Sequence, residues 1–207
     1  MRSLLVFIVV MLSVVRPSAE IIDRILAVVG GELIMLSDAT AAVRFGLVQA
    51  PSGEGDPIMP MLNALIDRQL QLFEVNRYLP PEPTAAAIDE RLAEIRARFP
   101  GQETFDAALA ESGMTEAQVR SRVRDNLRIA SYRAQRFAAA LQPSDDDLVR
   151  YYRLREPEFT KDGVLQPFAD VREQLRARVA AERSEMLIND WLETLRRRAE
   201  VQILYRN

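Results

Sequence analysis

The segment of residues 168–207, FADVREQLRARVAAERSEMLINDWLETLRRRAEVQILYRN, determines how the rest of the chain must fold. Its apolar residues recur at steps of three, four or seven nearly throughout, which keeps them on one face of an α-helix. The members of this apolar stripe are Phe168, Val171, Leu175, Val179, Met186, Trp191, Leu195 and Ala199. A helix over residues 168–199 would be about 48 Å long at ~1.5 Å per residue. It can bury such a stripe only against other segments of the chain.

A β-strand is expected directly after this helix, at residues 201–205. The run VQILY opens with the alternation of apolar and polar residues that is typical of a strand. A partner lies near the start of the chain, where two apolar runs flank Gly30-Gly31, a pair that suits a two-residue hairpin turn. We predict a β-hairpin of residues 22–29 and Glu32–Met35, which pairs along its exposed edge with the terminal strand.

Six further helices are expected between the hairpin and the closing helix. Ser37, Thr84, Thr115 and Ser144 carry side chains that cap helix N-termini, and a proline or glycine soon follows each helical run. The expected helices cover residues 37–47, 57–78, 84–99, 104–112, 115–141 and 144–155. The predicted fold class is therefore mainly α: a multi-helix module with a small β-hairpin paired to a C-terminal strand.

The first nineteen residues are typical of a secretory signal peptide. Arg2 precedes an apolar run at residues 4–15, and the small residue Ala19 suits a cleavage site. The run is shorter than the ~20 residues of a transmembrane span, although an uncleaved membrane anchor is the alternative. We expect residues 20–207 to form a single exported domain with no stable membrane insertion after cleavage.

Composition removes several classes of function. The chain contains neither Cys nor His, so the usual zinc sites and the Cys-His or Ser-His catalytic arrangements are excluded. No Gly-rich phosphate loop is present, and we expect no cofactor and no nucleotide. The acids at residues 145–147 suit a helix N-terminus rather than a calcium site. A net charge of −3 argues against binding to nucleic acid.

The order of these elements resembles the SurA-type periplasmic chaperones and their PrsA-like relatives. Residues 21–38, IIDRILAVVGGELIMLSD, match the strand pair and helix start of that family, and residues 61–74, MLNALIDRQLQLFE, match its apolar helix. Residues 104–133, TFDAALAESGMTEAQVRSRVRDNLRIASYR, match its helix-turn-helix. Residues 171–205 match its long final helix and terminal strand. The resemblance spans nearly all of the chain after the signal peptide.

One departure from the family concerns its enzyme domain. Family members usually carry one or two parvulin-type prolyl isomerase domains between the helix at residues 144–155 and the closing helix. Here only the connection 156–167 lies at that place, and a dozen residues cannot form an independent domain. Parvulin sites also use His, which this chain lacks. The resemblance therefore implies hairpin and helices at 20–155, a connection at 156–167, a closing helix and strand at 168–207, and no isomerase.

The function implied by the resemblance is that of an ATP-independent holdase in the periplasm. Such a chaperone binds unfolded polypeptides, here outer-membrane or exported proteins, through an apolar groove made from adaptable side chains. For each candidate contact, ordinary core packing is the alternative. The candidates are Met35, Met59, Met61, Met114, Tyr132, Phe137, Tyr151, Tyr152 and Phe159. Trp191, by contrast, is predicted to anchor the core.

Two other functions stay open at this stage. The first is peptidyl-prolyl cis-trans isomerase activity, which the family as a whole would suggest. The second is a dimeric helical module with a structural role in the periplasm, in which the long helices of two copies pack together. The absence of His and of a parvulin-sized segment argues against the first, whereas the sequence contains no feature that excludes a homodimer.

Overall fold

The computed structural model describes residues 23–49 and 55–206 and is mainly helical with a small antiparallel sheet, as the sequence predicts. The strands are β1 (Ile25–Val29), β2 (Glu32–Met35), β3 (Thr160–Lys161), β4 (Val164–Leu165) and β5 (Val201–Ile203). The helices are α1 (Leu36–Arg44), α2 (Ile58–Tyr78), α3 (Ala85–Arg96), α4 (Gln102–Ser112), α5 (Glu116–Phe137), α6 (Asp145–Leu154) and α7 (Phe168–Arg198). The predicted signal peptide, residues 1–19, lies outside the described residues. No helix of the described part is long and apolar enough to cross a membrane.

The main sheet joins the beginning and the end of the described chain. Strand β1 lies in the centre, between β2 and β5, and both of its neighbours are antiparallel to it. Val28 pairs with Leu33 on one side and with Gln202 on the other. The predicted pairing of the terminal strand with the hairpin is therefore confirmed, although β5 ends at Ile203 instead of continuing to Tyr205.

The hairpin turn depends on glycine for two reasons. Gly30 and Gly31 have φ angles of 55° and 88°, a region that residues with a Cβ rarely adopt. A Cβ on Gly30 would also lie 2.9 Å from Cε2 of Phe73 on α2. The turn therefore rests directly on a helix of the core.

The sequence predicts Ser37 as the N-cap of helix α1, but the helix begins two residues earlier. The N-cap is Met35, the last residue of β2, and its backbone N–H donates to the Asp38 carboxylate over 3.1 Å. The backbone N–H of Ser37 donates to Asp23, also over 3.1 Å. Because the chain passes from strand to helix without a loop, the strand end takes the capping position and Ser37 falls inside the first turn.

The other predicted caps are confirmed. The Thr84 hydroxyl accepts a hydrogen bond from the N–H of Ala87 over 3.2 Å at the start of α3. Thr115 and Gln118 form a capping box at the start of α5, with bonds of 3.2 and 2.7 Å. Helix α5 ends at Phe137, however, which is four residues before the predicted end, because residues 138–141 form a turn.

Most buried side chains belong to one main core. It is formed by β1 and β2, by helices α1 to α5 and by the C-terminal half of α7, from which Trp191 and Leu195 are buried. Phe45 and Phe105 are fully enclosed, and their rings meet edge to face at a centroid distance of 5.9 Å. Trp191 is 6% exposed, so its predicted role as a core anchor is confirmed.

A smaller satellite core lies at the other end of α7. Its buried members are Leu148, Phe159, Val171, Leu175 and Val179. The connection 156–167, predicted without regular structure, contributes to it through a 3₁₀ turn (Glu156–Phe159) and the hairpin of β3 and β4. Helix α7 is therefore the element that packs into both cores.

The apolar stripe of α7 is interrupted between the two cores. Val179 is the last side chain of the stripe buried in the satellite core, and Trp191 is the first one buried in the main core. Met186 lies between them and is 58% exposed, so its predicted place in a buried stripe is wrong. Along the 31-residue helix, residues 180–186 contribute no side chain to either core, whereas Leu187 and Ile188 are half-buried against the main core.

Ion pairs fasten α6 to α7. Asp145 accepts a hydrogen bond from Arg172 over 2.6 Å, and Asp147 lies 2.7 Å from Arg183. These two acids belong to the acidic run that the sequence attributes to the cap and helix dipole alone. Tertiary contacts with α7 therefore explain part of that run as well.

We expect acid to weaken the contact between α6 and α7. The hydrogen bond from Arg183, followed by those from Ser144, lowers the pKa of Asp147 from its ordinary value of 3.8 to about 2. An acid with a lower pKa in the folded state adds stability above its ordinary pKa, and this stability is lost as the pH falls from 3.8 to about 2. Thermal unfolding across this pH range should therefore change less in Asp147→Asn than in the unmodified protein.

The control for this experiment is Asp146→Asn. Asp146 is exposed and has no arginine partner among the described residues, so this variant should keep the pH dependence of the unmodified protein. Identical acid sensitivity in Asp147→Asn and the unmodified protein would contradict the prediction.

Candidate functional site

A cleft follows the uncovered central stretch of α7, between the main and satellite cores. Its larger part has a volume of about 640 Å³, and its smaller part has a volume of about 340 Å³. Leu141 lines both parts, which therefore adjoin. The other lining residues are Gln142, Pro143, Glu173, Arg176, Ala177 and Ala180 in the larger part, and Ala130, Arg133, Ala134, Phe137, Ser184 and Ile188 in the smaller part. We call this surface the α7 cleft.

Helix α7 provides the floor of the cleft with small side chains. Ala177, Ala180, Ser184 and Ile188 recur at steps of three or four and therefore share one face of the helix. Three of these four residues have side chains too short to fill the space between the cores. The floor is consequently open and extends along the axis of α7, with Glu173 and Arg176 of the same helix adding charged groups to it.

The opposite wall is held in place by an aromatic cluster. Phe137 at the end of α5 is 9% exposed, and its ring meets that of Trp191 at a centroid distance of 5.9 Å. Trp191 also contacts Tyr132 at 5.7 Å, and Tyr132 stacks on Tyr78 at 5.6 Å. Aromatic pairs in such geometries add to the stability that burial provides, so Phe137 is a fixed part of the wall.

Charged side chains stand at the margins of the cleft. Arg176 donates to Glu173 over 2.6 Å and lies 3.9 Å from Asp145, so its charge is balanced within the chain. Arg133 belongs to the smaller part, and burial lowers the pKa of its guanidinium. The α7 cleft thus combines small and apolar side chains with a few ionic groups, which is the usual composition of a binding site.

The structure gives the nine predicted contact residues different positions. Phe137 is the one that lines the α7 cleft. Met61, Tyr132 and Phe159 are at most 8% exposed and pack inside the two cores. Met114 lines a separate, polar pocket beside Gly113. The remaining four are half-buried: Met35, Met59, Tyr151 and Tyr152.

Two pairs of these residues differ from the expectation for physical reasons. Met59 and Met61, candidate client contacts, pack instead against the main core, because the apolar face of α2 begins in its first turn. Tyr151 and Tyr152 use their hydroxyl groups within the chain: Tyr151 donates to Glu182 over 2.6 Å, and Tyr152 donates to the backbone oxygen of Gln166. Their polar ends are therefore already satisfied.

Sequence reasoning does not identify most of the cleft. The apolar pattern assigns Leu141 and Ile188 no role beyond helix packing, and it assigns Arg133 none. The gap in the stripe of α7 between Val179 and Met186 does not indicate the cleft either, because Glu182 and Arg183 at that place pair with Arg155 and Asp147.

Other chemistry is sparse in the described part of the chain. Within residues 23–49 and 55–206, no group of three or more acidic, Cys or His side chains could hold a metal ion. Comparison with known proteins also gives no further lead: a scan against family models finds no match, and a search of curated proteins finds none either. No family is assigned. The resemblance to SurA-type chaperones stays a prediction.

Proposed function

We propose that this protein is an ATP-independent periplasmic chaperone that holds unfolded outer-membrane or exported proteins in the α7 cleft. The observation that supports this most directly is the open stretch of α7, with small side chains at its floor, between two separately packed cores. A protein that leaves part of the middle of its longest helix uncovered has a surface on which apolar segments of another chain can pack.

The shape of the cleft suits a client without fixed structure. Its two adjoining parts extend along α7 and together exceed the space required by one side chain. The floor of small residues, Ala177, Ala180 and Ser184, imposes little steric selection. Binding would therefore depend on apolar contact over several client residues, with weak and reversible affinity in the micromolar range.

An aggregation assay tests the proposal. The protein is expressed from its full-length coding sequence, purified as the cell processes it, and mixed with a β-barrel membrane protein diluted from urea. We expect an equimolar amount to delay aggregation, measured by light scattering. Placing two acids in the cleft with Ala134→Glu and Ala177→Glu should reduce the delay several-fold, because a charge opposes burial of apolar client segments.

The matched control is Ala93→Glu with Ala107→Glu. These residues are also exposed alanines within helices, on α3 and α4, and neither lines the cleft. The control should retain the full delay, since it has the same change in charge and in helix propensity. No delay by the unmodified protein at several-fold excess would rule out the proposed function. An equal loss in both double variants would exclude the cleft as its site.

A further inference from the structure

Arg133 differs from the other shielded arginines of the described chain. Every other arginine that is buried or half-buried has a carboxylate oxygen within 4.0 Å. On α5 alone, Arg120 pairs with Asp89 and Arg122 pairs with Asp38. Half-buried Arg133 has no such partner among residues 23–49 and 55–206. Its guanidinium is a partly desolvated cation that the described chain leaves uncompensated.

No carboxylate of the described chain lines the part of the cleft that contains Arg133. Arg133 lines the smaller part of the α7 cleft, where Phe137, Leu141 and Ile188 provide apolar walls and Ser184 provides a hydroxyl group. Burial is the sole cause found for the lowered pKa of Arg133, which agrees with the absence of a nearby carboxylate. A partly desolvated guanidinium offers a planar set of N–H donors that matches a carboxylate.

We propose that this part of the cleft binds the free carboxylate end of a polypeptide whose last residues are apolar. The carboxylate accepts hydrogen bonds from Arg133, and the final apolar side chain packs against Phe137 and Ile188. The inference rests on the proposed function, because it names the client segment that the α7 cleft would hold.

A polypeptide fits the cleft better than a fatty acid does. Beyond Leu141 the cleft continues into its larger part, which is lined by the polar groups of Gln142, Glu173 and Arg176. The backbone of an extended peptide carries donors and acceptors that can use these groups, whereas an alkyl chain carries none. The volume of the smaller part, about 340 Å³, accommodates a terminal residue with its carboxylate.

A pair of peptides tests the inference. One fluorescent twelve-residue peptide ends in Val-Leu with a free carboxylate, and the other has the same sequence with a C-terminal amide. Anisotropy with the full-length gene product should show about tenfold tighter binding of the acid, as expected for a charge-assisted hydrogen bond. Trp191, the single tryptophan, provides a second readout because its ring lies 5.9 Å from that of Phe137.

Variants of Arg133 connect this preference to one side chain. Arg133→Gln should bind both peptides with the affinity that the unmodified protein has for the amide. Arg153→Gln, at an exposed position on α6, should keep the tenfold preference. The melting temperature of Arg133→Gln should be unchanged or higher, since an uncompensated charge is removed. If Arg133→Gln fails to fold, Arg133→Lys replaces it as the test. This variant keeps the charge but lacks the planar guanidinium, so it should bind the acid peptide more weakly.

Several outcomes would overturn the inference. Equal binding of acid and amide by the unmodified protein would do so, as would an unchanged preference in Arg133→Gln. Binding of dodecanoate through Arg133 without binding of the acid peptide would identify a fatty-acid site instead. If aggregation is delayed but acid and amide bind equally, the chaperone proposal stands and this inference falls. If the acid is preferred without any delay of aggregation, the chaperone proposal falls and the carboxylate site stands.

Discussion

Replacing Trp191 with Ala is expected to lower the free energy of unfolding by about 3–5 kcal/mol. Trp191 is 6% exposed, and its ring lies 5.7 Å from that of Tyr132 and 5.9 Å from that of Phe137. The guanidinium of Arg136 also lies over the indole at 5.5 Å. Truncation would leave a cavity where α2, α5 and α7 meet, because these aromatic neighbours cannot all move into the space. Urea unfolding followed by far-UV circular dichroism measures the effect.

The control for Trp191 is provided by the same helix. Met186 lies in the apolar stripe that the sequence predicts but is 58% exposed, so Met186→Ala should change the free energy of unfolding by less than about 0.5 kcal/mol. Equal losses for the two variants would show that the uncovered stretch of α7 is packed in solution. A loss below about 1 kcal/mol for Trp191→Ala would show that the C-terminal half of α7 does not depend on this anchor.

Replacing Leu175 with Ala is expected to destabilise the satellite core by about 2–5 kcal/mol. Leu175 is completely buried and packs among Leu148, Phe159, Val171 and Val179. This core is small, so one large side chain is a substantial fraction of its apolar contacts. Because it shares only α7 with the main core, the loss should be local. Hydrogen exchange measured by mass spectrometry should show faster exchange in residues 145–165, while α2 and the main sheet keep their protection.

Gln174→Ala is the matched control, since Gln174 precedes Leu175 on the helix and is exposed. It should leave the exchange pattern unchanged. The same experiment separates the expectation of a local effect from the prediction that residues 20–207 form a single domain. A uniform loss of protection across the chain in Leu175→Ala would support one folding unit and contradict the local effect.

The helices were predictable where their boundaries depend on neighbouring residues. The capping box of Thr115 and Gln118 is complete within four residues, so the sequence contains all of the information. At α1 the capping bond from Met35 to Asp38 is equally local, but Ser37, the predicted cap, bonds to Asp23, fourteen positions away, and lies inside the first turn. Sequence spacing does not reveal a choice of this kind. The hairpin of β3 and β4 was missed because two-residue strands are too short to show an alternating pattern.

The candidate site was less predictable than the fold. A methionine or aromatic residue suits a core and a binding surface equally well, and only packing separates the two, as it does for Tyr132 and Phe137. The α7 cleft exists because its floor carries small residues: Ala177 and Ala180 leave open a space that larger side chains would fill. Small residues produce little hydrophobic signal. The cleft therefore becomes visible only when both cores are in place.

The central position of β1 has a consequence for how the protein is made. Its two partners are very unequal in sequence distance: β2 follows after a two-residue turn, whereas β5 comes about 170 residues later. Contacts across such separations form late and slow folding, because a long loop must close first. Throughout synthesis, β1 consequently presents an open strand edge to every other polypeptide nearby. Until β5 has been made, this chain needs the same protection from aggregation that we propose it gives to others.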